Sequence, residues 1–139
     1  MNRSSYTGIV IYIFRAKIIW YSKNQNTVAS SMFGSKIVAM RTGMELTKSL
    51  CYKLRMMGVP IDGPTSVFCD NKLVVASTYV PTSTLSKNHL GIYYHAVREA
   101  VAEGIHRISH IAGEFNLANI LTKILMAAVK WPHIRWVLY

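Results

Sequence analysis

The chain has 139 residues, 51% of them hydrophobic and 11% aromatic, the length of one domain with enough apolar material for a core, which excludes wholesale disorder. Its 16 lysines and arginines against 6 acids leave a net charge of +10, which fits a polyanion partner, nucleic acid first, and fits equally a plain basic surface. Its two cysteines, Cys51 and Cys69, have no metal-ligand spacing; they exclude a disulfide framework and point to an intracellular chain, cytoplasmic or nuclear.

Ile9–Phe14 is a β-branched and aromatic run, and Ile18–Tyr21 is another. Arg15-Ala16-Lys17 lies between them, so the pair predicts a hairpin whose turn type stays open. Arg15 and Lys17 also interrupt the apolar stretch from Gly8 to Tyr21, which is too short and too charged to span a membrane. Ser30 or Ser31 can cap the next element. From there Ile37, Met40, Met44, Thr47, Cys51, Leu54 and Gly58 recur at three- and four-residue steps, predicting a long helix that stops at Gly58 before Pro60.

Val67-Phe68-Cys69 reads as a short buried strand ending at Asp70, and Leu73-Val74-Val75 as the opening of a short helix. Val80–Thr84 is a loop, and Leu90–Ala102 is helical by period with Gly104 as its stop. Ile105–Ile111 alternates as a strand. Gly113 turns the chain, Asn116 can cap, and Leu117–Val129 forms a last helix. Strands alternating with helices predict a mixed α/β sheet.

Several residues carry chemical possibilities. Met40, Met44, Met56 and Met57 are expected to fill helix faces in the core. Of the five histidines, His106 and His110 are four apart on a predicted strand with no cysteine or acid beside them, which argues against zinc. Ser30 and Ser31 have no histidine–acid partners to make a nucleophile.

Four stretches have a distinctive order. They are Arg3-Ser4-Ser5-Tyr6-Thr7-Gly8 with Trp20-Tyr21-Ser22-Lys23-Asn24-Gln25, then Phe33-Gly34-Ser35-Lys36-Ile37-Val38-Ala39, then Val67-Phe68-Cys69-Asp70-Asn71, then Asn116-Leu117-Ala118-Asn119-Ile120-Leu121-Thr122-Lys123. Tyr94–Glu99 adds a weaker fifth. Together, across roughly residues 3–125, they resemble the ribonuclease H domain of copia-type retrotransposon polyproteins. The resemblance implies an α/β fold, a ribonuclease H-like mixed sheet with flanking helices, over residues 1–125, with its first strand missing and a C-terminal tail at 126–139.

The resemblance also implies a mechanism. Family carboxylates hold two Mg²⁺ ions that activate water and stabilise the leaving oxygen as RNA is cut in an RNA–DNA hybrid. Magnesium wants oxygen ligands, chiefly carboxylates. The family's first acid lies before the Arg-Ser-x-x-Gly segment. Lys36 stands where the family has its second, a glutamate. Asp70 matches the third. Asn119 stands where the family has its fourth, an aspartate. Only Asp70 remains as a catalytic acid and as a metal ligand, so Mg²⁺ is expected not to bind and cleavage to be lost.

Two positions keep two readings each. Lys36 pairs with Asp70, standing in for the metal's charge, or points to solvent. Asn71 contacts nucleic acid, as its family match implies, or caps the following helix. At the level of function the alternatives are a basic module that binds an RNA–DNA hybrid or other nucleic acid without cutting it, and a transposon fragment with no function. Arg15, Lys17, Lys23, Lys36, Arg41, Lys48, Lys53 and Arg55 give the first half its basic bias. No membrane partner is expected.

Overall fold

The computed structural model describes residues 5–25, 32–79 and 88–122, together with Pro132, Ile134 and Arg135. The expected caps at Ser30 and Ser31, the loop Val80–Thr84, most of the last predicted helix and nearly all of the tail lie outside the described residues.

The two apolar runs form the expected hairpin. β1 (Tyr6–Ile13) pairs antiparallel with β2 (Ala16–Asn24), and the register runs from Tyr6 opposite Asn24 to Ile13 opposite Ala16. The turn is Phe14-Arg15, one residue earlier than the polar triplet suggests. Phe14 is fully exposed and takes φ 53°, the left-handed region in which a non-glycine residue is uncommon. The register shifts by one residue between Ile11 and Tyr12, so Ile18 is left without an opposite number. Such a bulge bends the strand and raises its twist.

Helix α1 (Met32–Met56) follows, 25 residues long. Its predicted inner face is Ile37, Met40, Met44 and Thr47, all buried. Cys51 and Leu54 continue the stripe half-buried. The helix ends as expected: Gly58 adopts φ 81°, the left-handed conformation that a helix C-terminus favours, and Val59 N–H donates to Leu54 O. Met56 and Met57 are a correction to the expected core, at 72% and 70% exposed. They lie past the inner stripe, where the chain has begun to leave the helix, so no facing element covers them.

β3 (Thr65–Cys69) and β4 (His106–His110) pair in parallel, Thr65 opposite His106 through Cys69 opposite His110. A parallel pair needs a crossover connection. Here it contains α2 (Lys72–Tyr79) and α3 (Asn88–Ala102). Asn71 opens α2: its side-chain Oδ1 accepts from the backbone N–H groups of Leu73 at 3.0 Å and Val74 at 3.2 Å. The capping reading of Asn71 is therefore present in the structure. Replacing Asn71 with alanine is expected to cost about 1 kcal/mol, read from the urea midpoint, by orphaning two helix-start donors.

The core lies where α1, α2, α3 and the β3–β4 pair meet. Ile37, Val74, Tyr94 and Val97 are its most deeply buried side chains, with Met40, Met44, Cys69 and Ile108 around them. Two tyrosine hydroxyls are satisfied at its edge, that of buried Tyr94 and that of half-exposed Tyr79. Tyr94 donates to Ser77 O at 3.0 Å; Tyr79 donates to Ile108 O at 2.8 Å and accepts from Ile108 N–H at 2.9 Å.

The single mixed sheet expected from the element order is not what forms. Among the described residues there are two separate two-stranded sheets, β1–β2 and β3–β4. Helix α1 packs against both β1 and β3, and bridges them from below. The predicted last helix, Leu117–Val129, is corrected over its described residues, Leu117–Thr122. After a 3-10 turn at Gly113–Phe115 the chain makes a 3-10 helix, Leu117–Leu121, opened by Asn116, whose Oδ1 accepts from Ala118 N–H at 3.2 Å. The tighter turn keeps this segment against β1, where Gly8 approaches it closely. No helix among the described residues is long and apolar enough to cross a membrane.

Candidate functional site

Three polar positions singled out in the sequence meet at one end of the groove between β1 and β3. Lys36 comes from the second turn of α1, Asp70 from the end of β3, and Asn119 from the 3-10 helix. Each is placed by its own element: Lys36 precedes the buried Ile37 on the inner stripe, and Asp70 follows the buried Cys69.

Lys36 Nζ lies 2.7 Å from Asp70 Oδ1, with the two side chains 24% and 8% exposed. The ion-pair reading of Lys36 is the one realised, and the solvent-pointing one is not. The separation is that of a short charge-assisted hydrogen bond. Asp70 also lies against the turn at Gly113, where a Cβ on that glycine would come 3.8 Å from Asp70 Oδ2.

Asn119 is held to the same turn. Its Nδ2 donates to Gly113 O at 2.8 Å, the side chain is buried, and its Oδ1 has no hydrogen-bond partner among the described residues. A carboxylate at this position would set an oxygen against the Gly113 carbonyl, so the local geometry suits an amide. The sequence marks Gly113 only as a turn, and nothing in it signals that the Gly113 carbonyl anchors Asn119.

A second network fixes the start of α1 beside Lys36. Gln25 Nε2 donates to Thr7 Oγ1 at 2.9 Å and to Ser35 O at 3.0 Å, and Ser35 Oγ donates to Ser5 Oγ at 2.9 Å. The base of the hairpin is thus tied to the first turns of the helix. Ser22 Oγ donates to Leu121 O at 2.8 Å and ties β2 to the 3-10 helix. These ties hold Lys36 and Asn119 in register with the hairpin.

These residues do not fit a pair of magnesium ions. A hard dication needs several converging oxygens. Here one carboxylate faces an ammonium, and the amide at Asn119 spends its donor on a backbone carbonyl. Among the described residues no group of three or more histidine, cysteine, aspartate or glutamate side chains could hold a metal.

Two titratable groups lie close by. Burial pushes the Cys69 thiol above its ordinary value, against smaller lowering effects from the Asn71 backbone and the Lys36 charge, so it stays protonated and unreactive at neutral pH. His106 is buried beneath α1, and its Nδ1 has no hydrogen-bond partner among the described residues. Burial first, then the nearby Lys48 charge, holds its pKa below the ordinary 6.5, against an opposing hydrogen bond that the imidazole donates to the Met44 backbone. The folded state therefore favours neutral His106. As pH falls through 6.5 the unfolded chain takes up its proton first, and stability declines on the acid side while staying level above. Urea midpoints between about pH 5 and pH 8 should show this decline, and His106→Gln should flatten it.

Comparison with known proteins gives a consistent direction. The chain is similar to the "Retrovirus-related Pol polyprotein from transposon RE1" of Arabidopsis thaliana, 29% identical over 124 residues, 87% of this chain. The corresponding RE2 polyprotein of the same plant is 28% identical over 124 residues, and that from transposon TNT 1-94 of Nicotiana tabacum is 28% identical over 125. The chain is thus distantly similar, over most of its length, to copia-type retrotransposon Pol polyproteins. It spans only 8% to 9% of the length of these relatives. No family model matches the chain. No solved structure matches it either.

Proposed function

We propose that this chain is a ribonuclease H-like domain of a copia-type retrotransposon polyprotein that has lost metal-dependent cleavage of RNA–DNA hybrids. The observation that carries the reading is the 2.7 Å contact between Lys36 Nζ and Asp70 Oδ1. It leaves the surviving acid neutralised by a side chain of the chain itself. An ammonium at this distance competes for the oxygen that a dication would need, and repels the dication. The likeness to Pol polyproteins supports the assignment of the domain, and the order of its motifs supports the assignment of the region.

The test is cleavage of a labelled RNA–DNA hybrid with Mg²⁺ or Mn²⁺, beside an Asp70→Asn control. The expected result is no cleavage by either folded protein. Cleavage that Asp70→Asn abolishes would sink the proposal, because it would require metal ligands from elsewhere.

What remains to such a domain is phosphate binding. Arg15, Lys23, Lys48, Lys53 and Arg55 are exposed on a chain of net charge +10. Binding to the hybrid should then lose affinity steeply with salt, by about one unit of slope in log Kd against log salt for each phosphate neutralised. Absence of binding at low salt would leave the chain a remnant of the polyprotein without this activity.

A further inference from the structure

Alternation along β1 sends Thr7, Ile9 and Ile11 to the α1 side of the hairpin, where all three are buried, and Gly8, Val10 and Tyr12 to the opposite face. The 3-10 helix Leu117–Leu121 lies over that opposite face at Gly8 and at Ser22, its cross-strand neighbour. From there to the turn the face carries Val10 opposite Trp20 and Tyr12 opposite Lys17. Its rings meet water: Trp20 is 63% exposed and Tyr12 37%. At the turn itself Phe14 is fully exposed, on a backbone in the left-handed region. Rings this exposed add little to the core, and a cluster of them marks a surface that meets a partner. A strained non-glycine residue at the tip points the same way.

The charges around these rings specify the partner. Lys17 Nζ lies 5.4 Å from the centroid of the Trp20 ring, a cation–π contact that steadies the indole and sets positive charge beside it. Trp20 keeps its exposure with Lys17 in place, so ring surface remains for another flat group. Trp20 and Tyr12 are diagonal neighbours across the hairpin, a separation of about 7–8 Å that aromatic side chains reach over. Arg15 is exposed beside Phe14 in the turn, and Lys23 is exposed further along β2. The hairpin contains no acid; the first in the chain is Glu45, which pairs with Arg41 on α1. Flat rings among cations suit unpaired nucleotides, whose bases stack while their phosphates meet the charges. A duplex cannot use the rings in this way, because its bases are already stacked on one another.

We propose that the hairpin face turned away from α1 binds single-stranded nucleic acid, stacking bases on Trp20, Tyr12 and Phe14 and meeting phosphates with Arg15 and Lys17. The inference goes beyond the phosphate binding of a hybrid proposed above. It takes unpaired bases, uses a face on the far side of the hairpin from α1 and Lys36, and does not need the ribonuclease H assignment.

The experiment measures the Kd of the full chain by fluorescence anisotropy, over a series of salt concentrations, for a labelled strand of about eight deoxyadenylates. A strand of the same length made of abasic sites keeps the phosphates and removes the bases, and an RNA–DNA hybrid keeps both but hides the base faces. Trp20→Ala should weaken the adenylate strand about 5- to 150-fold, the loss of one stacked base, with no change in salt slope. Trp20→Phe should recover most of that loss. Arg15→Ala should lower the salt slope by about 0.7. The abasic strand should bind the parent no better than the adenylate strand binds Trp20→Ala, and Trp20→Ala should not weaken it further. Far-UV circular dichroism matching the parent's shows that each variant is folded. Adenylate binding that is absent at low salt, or unchanged in a folded Trp20→Ala protein, overturns the proposal. So does an abasic strand that binds as tightly as the adenylate strand, which would mean charge alone. Dimers in sedimentation that Trp20→Ala abolishes overturn it in favour of a second copy of this chain. Adenylate binding that depends on Trp20 without any binding of the hybrid supports it, and sinks only the earlier reading.

Discussion

Replacing Lys36 with glutamate is expected to lower stability in metal-free buffer by about 3 kcal/mol, the lower end of the range for breaking a buried ion pair. The lower end applies because Lys36 keeps 24% exposure, although Asp70 keeps only 8%. The variant removes the cation from Asp70 and sets a second carboxylate against it. Lys36→Met removes the cation without adding an anion, so its loss should be smaller. Adding Asp70→Asn to Lys36→Glu should recover part of the loss, because it removes one of the two facing charges; the coupling is read from a double-mutant cycle of urea midpoints. A Lys36→Glu protein more stable than the parent would mean that the ammonium is not what holds Asp70 in place.

Replacing Gly8 with alanine is expected to cost about 1–3 kcal/mol, as overpacking does in a filled site. A Cβ there would run into Thr122 Cγ2, come within 2.7 Å of the Ala118 backbone oxygen and 3.2 Å of Leu121 Cβ. The threonine methyl can move, but the backbone oxygen cannot without shifting the 3-10 helix. Thr122→Ser in the same background should therefore recover only part of the loss. The effect reaches the candidate site, since Asn119 sits on that helix. Gly8 closes the Arg3–Gly8 segment, and its reason here is close approach of two backbones rather than a turn.

Much of the framework was legible because it is local. The stripe of Ile37, Met40, Met44 and Thr47 obeys the helical period, and all four are buried. Gly58 and Gly104 end their helices in the left-handed region, at φ 81° and 71°. Asn71 and Asn116 cap the segments they precede. The pairing of Lys36 with Asp70 is not local: the resemblance brings the two positions to one site but leaves Lys36 directed to Asp70 or to solvent, and the fold decides for Asp70.

The rest belongs to the tertiary structure. Whether four strands make one sheet or two depends on contacts between segments tens of residues apart, and strand periodicity is the same in either case. The groove between the two sheets follows from that division. His106 and Asn119 are polar residues whose burial is decided by what packs over them, α1 in one case and the turn at Gly113 in the other. Met56 and Met57 are apolar residues left outside because the helix outruns its neighbours. The sequence by itself determined the order of the elements and the ends of α1 and α3, since period and capping act over a few residues. Only the fold decided which strands pair and which polar groups are sealed, since hydrogen-bond partners and burial are supplied by distant parts of the chain.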